Sequence, residues 1–89
     1  MSEAITTTNH ETIRNWAEQR DGHPARVRTS QPGGILRIDF GEPEEGLEPI
    51  SWDEFFDIFD ENGLKFLYQE KTEGGGVSRF NKFIDGHGR

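Results

Sequence analysis

The sequence predicts one small α+β domain, and three observations support that prediction. Two segments carry apolar residues at helical spacing behind capping residues, and four others alternate apolar and polar residues as strands do. The length is the third observation, since 89 residues suffice for one hydrophobic core and not for two. The predicted order is helix, hairpin, helix, hairpin. A four-stranded, mostly antiparallel sheet with both helices on one face would cover every apolar stripe.

The first helix is predicted to begin at Thr8. The preceding residues, 1–7, have no periodicity and are expected to form a disordered N-terminus. Thr8 and Glu11 have the spacing of a capping box, in which each side chain accepts from the other residue's backbone N–H. Gly22 and Pro24 are expected to end the helix. Its apolar stripe consists of Ile13, Trp16 and Ala17.

A hairpin is predicted next, from the strands ARVRT and ILRIDF around the turn SQPGG. In the second of these strands, Leu36, Ile38 and Phe40 share one face. The first strand places Arg26 and Arg28 together on the face opposite to its apolar residues. The segment GEPEEGLEP that follows contains two prolines and two glycines and is predicted to be a loop.

The second helix has the strongest local signals. Ser51 and Glu54 form another capping box, and Gly63 is a good helix stop. Aromatic residues recur at helical spacing and predict a row facing the core. That row consists of Trp52, Phe55, Phe56 and Phe59.

The last predicted hairpin joins LKFLYQE to VSRFNKFI through the turn KTEGGG. Leu67 interrupts the alternation of the first of these strands, which indicates a central strand covered partly on both sides. We predict a single domain over residues 8–84 and a frayed tail over residues 85–89.

The chain is acidic, with a net charge of −7, and most of that charge is concentrated in one segment. Residues 39–63 contain ten acidic residues and no lysine or arginine. The leading functional hypothesis is a small binding or regulatory protein that contacts a basic protein partner. The contact would use the preceding loop and the acidic face of the second helix, formed by Asp53, Glu54, Asp57, Asp60 and Glu61. A merely solvated, solubilising surface is the simpler interpretation of the same residues.

Arginines of the first hairpin suggest an alternative function, which is association with nucleic acid. Arg26, Arg28 and Arg37 would line the sheet face away from the helices. The simpler interpretation is that these arginines pair with the abundant acids or protect strand edges from aggregation. The negative net charge favours that interpretation, because domains that bind nucleic acid are usually basic.

Catalytic, metal and membrane functions find little support in the residues. The chain has no cysteine, and its three histidines are scattered rather than paired at the spacing of metal ligands. The serines lack the sequence context of a nucleophile. We therefore expect no enzyme, no cofactor and no metal site. No apolar run is long enough to span a membrane, and we expect a cytoplasmic monomer or weak dimer.

Three segments resemble a family of short bacterial proteins of uncharacterised function. These are NHETIRNWAEQRDGHPARV, PGGILRIDFGEPEEGLEPISWDEFFDIFDENGLKFLYQE and SRFNKFI, which extend from Asn9 to Ile84. Members of that family often carry the automatic label 1,4-alpha-glucan branching enzyme. The label conflicts with their size, because such enzymes resemble barrel proteins whose barrel alone takes about 250 residues. The resemblance implies an intact fold and identifies no catalytic residue.

Overall fold

A computed structural model describes residues 3–30 and 34–85, which form two helices and six strands. The helices are α1 (His10–Glu18) and α2 (Trp52–Glu61). The strands are β1 (Ala4–Thr7), β2 (Gly22–Val27), β3 (Ile35–Phe40), β4 (Glu48–Pro49), β5 (Leu64–Gln69) and β6 (Asn81–Asp85). The described residues confirm the α+β class.

The strands form two antiparallel sheets, each of three strands, in the orders β1-β5-β6 and β3-β2-β4. The prediction of a single four-stranded sheet, built from helix, hairpin, helix and hairpin, is therefore wrong. Both predicted hairpins are present, as β2 with β3 and β5 with β6. Each hairpin gains a third strand from a segment that was expected to be irregular. Neither β1 nor the two-residue β4 is long enough to show an alternating pattern in its sequence.

The N-terminal segment differs from the expected disorder, because Ala4–Thr7 pair with β5. The first helix also begins later than predicted, with Asn9 as its cap in place of Thr8. Asn9 Oδ1 accepts a hydrogen bond from the Thr12 N–H at 2.8 Å. Asparagine and threonine both cap helices well, so a sequence with adjacent candidates leaves the choice to the surrounding structure.

The second helix begins as predicted, with Ser51 Oγ accepting from the Glu54 N–H at 3.0 Å. Its side chains divide between the core and the surface as the spacing requires. Phe55 and Phe59 are fully buried, whereas Trp52 and Phe56 are half-buried at the rim of the core.

One core joins the helices to both sheets. Phe66 of β5 and Leu36 of β3 belong to the same buried cluster as the helical residues. The aromatic rings contact each other throughout this cluster; for example, the Trp16 and Phe66 ring centroids are 5.4 Å apart. The helices therefore connect two sheets that share no hydrogen-bonded ladder among the described residues.

Residues at both ends of the chain lie outside the described ranges. Asp85, assigned to the frayed tail, is the last residue of β6. The rest of that tail, residues 86–89, lies outside the described residues, as do residues 1–2 and the centre of the predicted SQPGG turn.

Candidate functional site

The outer surface of α2 carries two parallel rows of side chains. Asp53, Asp57 and Glu61 follow one another at intervals of four residues and are all exposed. The adjacent row begins with Trp52 and Phe56 at the same intervals, so the carboxylates run alongside half-buried rings. The face thus combines negative charge with accessible aromatic surface.

His10 extends the row of rings from the beginning of α1. Its imidazole stacks on the Phe56 ring, with centroids 4.0 Å apart and planes 8° apart. Phe56 stacks in turn on Trp52 at 5.5 Å. His10 Nε2–H donates to Asp60 Oδ1 at 2.9 Å, and an ionised carboxylate can only accept in this contact. The side chain of Asp60 is therefore engaged within the protein.

The acidic row has no ion-pair partner in the part of the chain that the structure describes. Within residues 3–30 and 34–85, no ion pair involves Asp53, Asp57 or Glu61. Like charges four residues apart on a helix repel by about 0.2–0.5 kcal/mol per pair. This repulsion makes the face locally costly and leaves a concentrated negative potential on it.

Glu54 lies apart from this row because it binds β2. Arg26 Nη1 forms an ion pair with Glu54 Oε2 at 3.1 Å, which ties the start of α2 to the sheet. Glu54 thus acts as a structural contact, although the sequence placed it on the acidic contact face.

The arginines of the first hairpin surround Glu48 of β4. Arg26 Nε lies 3.2 Å and Arg28 Nε 2.7 Å from Glu48 Oε1, and each guanidinium also donates to Oε2. These two hydrogen-bonded cations lower the pKa of Glu48 to about 2. The hydrogen bond to Glu48 raises the pKa of Arg26 in return.

The proposed nucleic-acid face is not assembled as expected. Arg26 pairs with Leu36 in the β2–β3 ladder and points to the same side as that core residue, toward α2. Arg37 pairs with Ala25 and lies on the opposite side. The three arginines therefore do not share one surface, because two bind Glu48 and the third lies across the sheet.

The loop that precedes α2 also lies away from the acidic row. The Glu44 N–H donates to Asp39 Oδ2 at 2.9 Å, and this bond folds the loop against the outer side of β3. Asp39 is nearly fully buried beneath it. The loop and α2 therefore pack on opposite sides of the same sheet.

The described residues contain neither a metal-binding cluster nor a membrane-spanning helix. No group of three or more histidine, cysteine, aspartate or glutamate side chains among them is placed to hold a metal ion. None of the described helices is long and apolar enough to cross a membrane.

Comparison with protein-family models, curated proteins and solved structures finds no match to this chain. The resemblance to short bacterial proteins therefore stays a prediction. Sequence reasoning found the acidic residues and rings of α2 but missed His10, which extends the row of rings. His10 and Asp60 are fifty positions apart, and no local pattern links them.

Proposed function

We propose that this protein is a small binding protein and that the outer face of α2 binds a basic protein partner. The observation that carries the proposal is the row of Asp53, Asp57 and Glu61, which forms no ion pair within the described residues and lies beside the stacked rings of Trp52 and Phe56. Carboxylates would steer a basic partner and select its orientation. Aromatic side chains are enriched in the centres of protein interfaces, where they supply contact area.

The proposal limits the contact to α2 and includes no catalytic step. Glu54 and Asp60 are left out of the direct contact, since each already binds a cation or a histidine of the protein. The preceding loop is left out because it folds against the other side of β3. We keep the cytoplasm as the proposed compartment, since a chain without cysteine suits a reducing environment.

Charge reversal on the acidic row provides the test. The variant Asp53→Lys/Asp57→Lys is compared with the wild type and with the matched control Glu3→Lys/Glu73→Lys, which changes the net charge equally at exposed sites elsewhere. Each protein is immobilised and captured proteins are quantified by mass spectrometry. We expect one basic protein to bind the wild type and the control and to be lost from the α2 variant.

Binding of that purified partner is then measured at two salt concentrations. We expect the association rate to fall as salt rises, because the attraction between exposed charges is screened over about 8–10 Å near physiological ionic strength. The same captured proteins on all three baits, or binding that is insensitive to both salt and charge reversal, would contradict the proposal.

A further inference from the structure

Two strand edges face each other across an open cleft. β3 and β6 are terminal strands of their sheets, and neither has a second ladder partner among the residues described. Between them lies a cavity of about 750 Å³, lined by Ile35, Arg37 and Ile38 of β3 and by residues 81–85 of β6. A cavity of this volume lies within the usual range for ligand sites. We call this cavity the edge cleft.

The two strands run in opposite directions along the edge cleft. Near one end, the Arg79 guanidinium lies 5.3 Å from the centre of the Phe40 ring. Near the other end, Ile35 and Asp85 line the same smaller cavity, together with Ile58 of α2. An extended chain placed between the strands would therefore be antiparallel to one edge and parallel to the other, as in a mixed sheet.

Side chains around the edge cleft differ between its two sides. Ile38 and Phe83 lie on the core side, where they pack in or against the buried cluster. Ile35 and Ile84 lie on the outer side and remain 38% and 37% exposed. An extended chain has alternate side chains on opposite sides, so apolar residues would suit the core side of this position.

The outer side of the edge cleft is also cationic. Arg37 and Lys82 are exposed there, and no ion pair involves either residue within 3–30 and 34–85. Two such cations lining one cavity are notable in a chain of net charge −7. Charge complementarity therefore indicates acidic residues on the outward side of an occupant.

We propose that the edge cleft binds an extended peptide that alternates apolar and acidic residues, and that the peptide adds as a β-strand along the free edges of β3 and β6. Main-chain hydrogen bonds to the edges would supply affinity, and the alternating side chains would supply selectivity. Arg37 and Lys82 would meet the acidic residues, while Ile38 and Phe83 would contact the apolar ones. This site is separate from the α2 face and does not depend on the function proposed for that face.

A synthetic heptapeptide that alternates glutamate and valine, with blocked termini, is the probe. Amide chemical shifts of the labelled protein are followed by NMR during its titration. We expect saturable shifts concentrated in β3 and β6. Two control peptides separate the contributions: one has lysine in place of glutamate, and the other has N-methylated valines that cannot donate main-chain hydrogen bonds. Each control should bind roughly tenfold more weakly or not at all.

The protein variant Arg37→Glu/Lys82→Glu should reverse the preference and favour the lysine peptide. Lys71→Glu, which changes an exposed cation outside the cleft, should leave the glutamate peptide's affinity unchanged. Circular dichroism verifies that each variant is folded. If a variant does not fold, the comparison of the three peptides on the wild-type protein still tests the proposal.

Several outcomes would overturn the proposal. Equal binding of the lysine and glutamate peptides would remove the selectivity, and equal binding of the N-methylated peptide would exclude strand addition. The cations could instead serve only to keep the edges from pairing with other copies. In that case no peptide shifts the β3 and β6 amides, and Arg37→Glu/Lys82→Glu alters only the sedimentation of the free protein. Shifts of the same amides by a thymidine dodecamer, without any by the glutamate peptide, would assign the cleft to single-stranded nucleic acid.

Discussion

Charged side chains link neighbouring segments in both sheets, but they do so in different surroundings. Beside the β1-β5-β6 sheet, buried Arg20 donates to the carbonyl oxygens of Ser78, Trp16 and Glu70 at 2.6, 2.9 and 2.9 Å. It thereby joins the C-terminal end of α1 to both ends of the turn between β5 and β6. In the β3-β2-β4 sheet, the surface carboxylate of Glu48 holds Arg26 and Arg28.

The difference shows that position, more than the number of contacts, decides what a charged side chain contributes. Arg20 is 8% exposed, and burial lowers its pKa against the opposing influence of the Glu70 charge. If its guanidinium were removed, buried carbonyl groups would lose donors and water could not easily replace them. Glu48 lies where water competes for the same hydrogen bonds, so its contacts set local geometry more than global stability.

Phe55 belongs to the core that joins both sheets, and its removal should have the largest effect. Phe55→Ala should lower the free energy of unfolding by about 3–5 kcal/mol, because the ring is fully buried and leaves a cavity. Phe56→Ala is the matched control on the same helix. It should lower the free energy of unfolding by less, since that ring is half-buried. Urea unfolding followed by tryptophan fluorescence measures both. Equal costs would mean that the division of α2 into core and surface rows is wrong.

Arg20→Met should have the next largest effect and should act on one sheet selectively. We expect a loss of about 1–3 kcal/mol, from the carbonyl oxygens left without donors. Native-state hydrogen exchange should show the Ser78 amide, which donates to the Glu70 carbonyl, opening more often, with β2 and β3 amides changed only through global unfolding. Arg20→Lys keeps the charge but loses the planar guanidinium that makes three contacts. Its free energy of unfolding should therefore lie between those of Arg20→Met and the wild type. Uniformly faster exchange in both sheets would contradict a local role.

The Glu48 contacts should have the smallest effect, and that effect should depend on pH. Its folded-state pKa of about 2 lies below the ordinary value of 4.5. Its stabilising contribution is therefore complete above the ordinary value and is lost as the pH falls from about 4.5 toward 2. Unfolding free energies of the wild type and Glu48→Gln should converge across this range. A carboxyl titration by NMR that places Glu48 at its ordinary pKa would show that the two arginines do not hold it.

Local patterns predicted the elements well where the pattern was long. The ends of α2 follow from the Ser51–Glu54 capping box and the Gly63 stop, and its rows of acids and rings follow from helical spacing. The two hairpins follow from alternation. β1 and β4 escaped prediction because four and two residues are too few to show a period.

Candidate sites were predictable to the extent that they lie on one element. The acidic row of α2 is such a case. The direction of Arg26 is not, because a strand pattern defines two faces without saying which one the helices cover. Arg26 therefore forms ion pairs with Glu48 and Glu54 on the helix side of the sheet, where we expected the opposite side.

The sequence by itself determined the helices, the paired hairpin strands and the charge of the α2 face, because spacing within a short segment encodes all three. Only the tertiary structure decided how the hairpins are completed, where the free edges meet and which charges are neutralised. Gly22 illustrates the division: the sequence suggested a helix stop, whereas a Cβ atom there would lie 2.8 Å from Ile38 Cγ2. This steric constraint arises between residues of two different strands, Gly22 and Ile38, so a pattern within one segment cannot predict it.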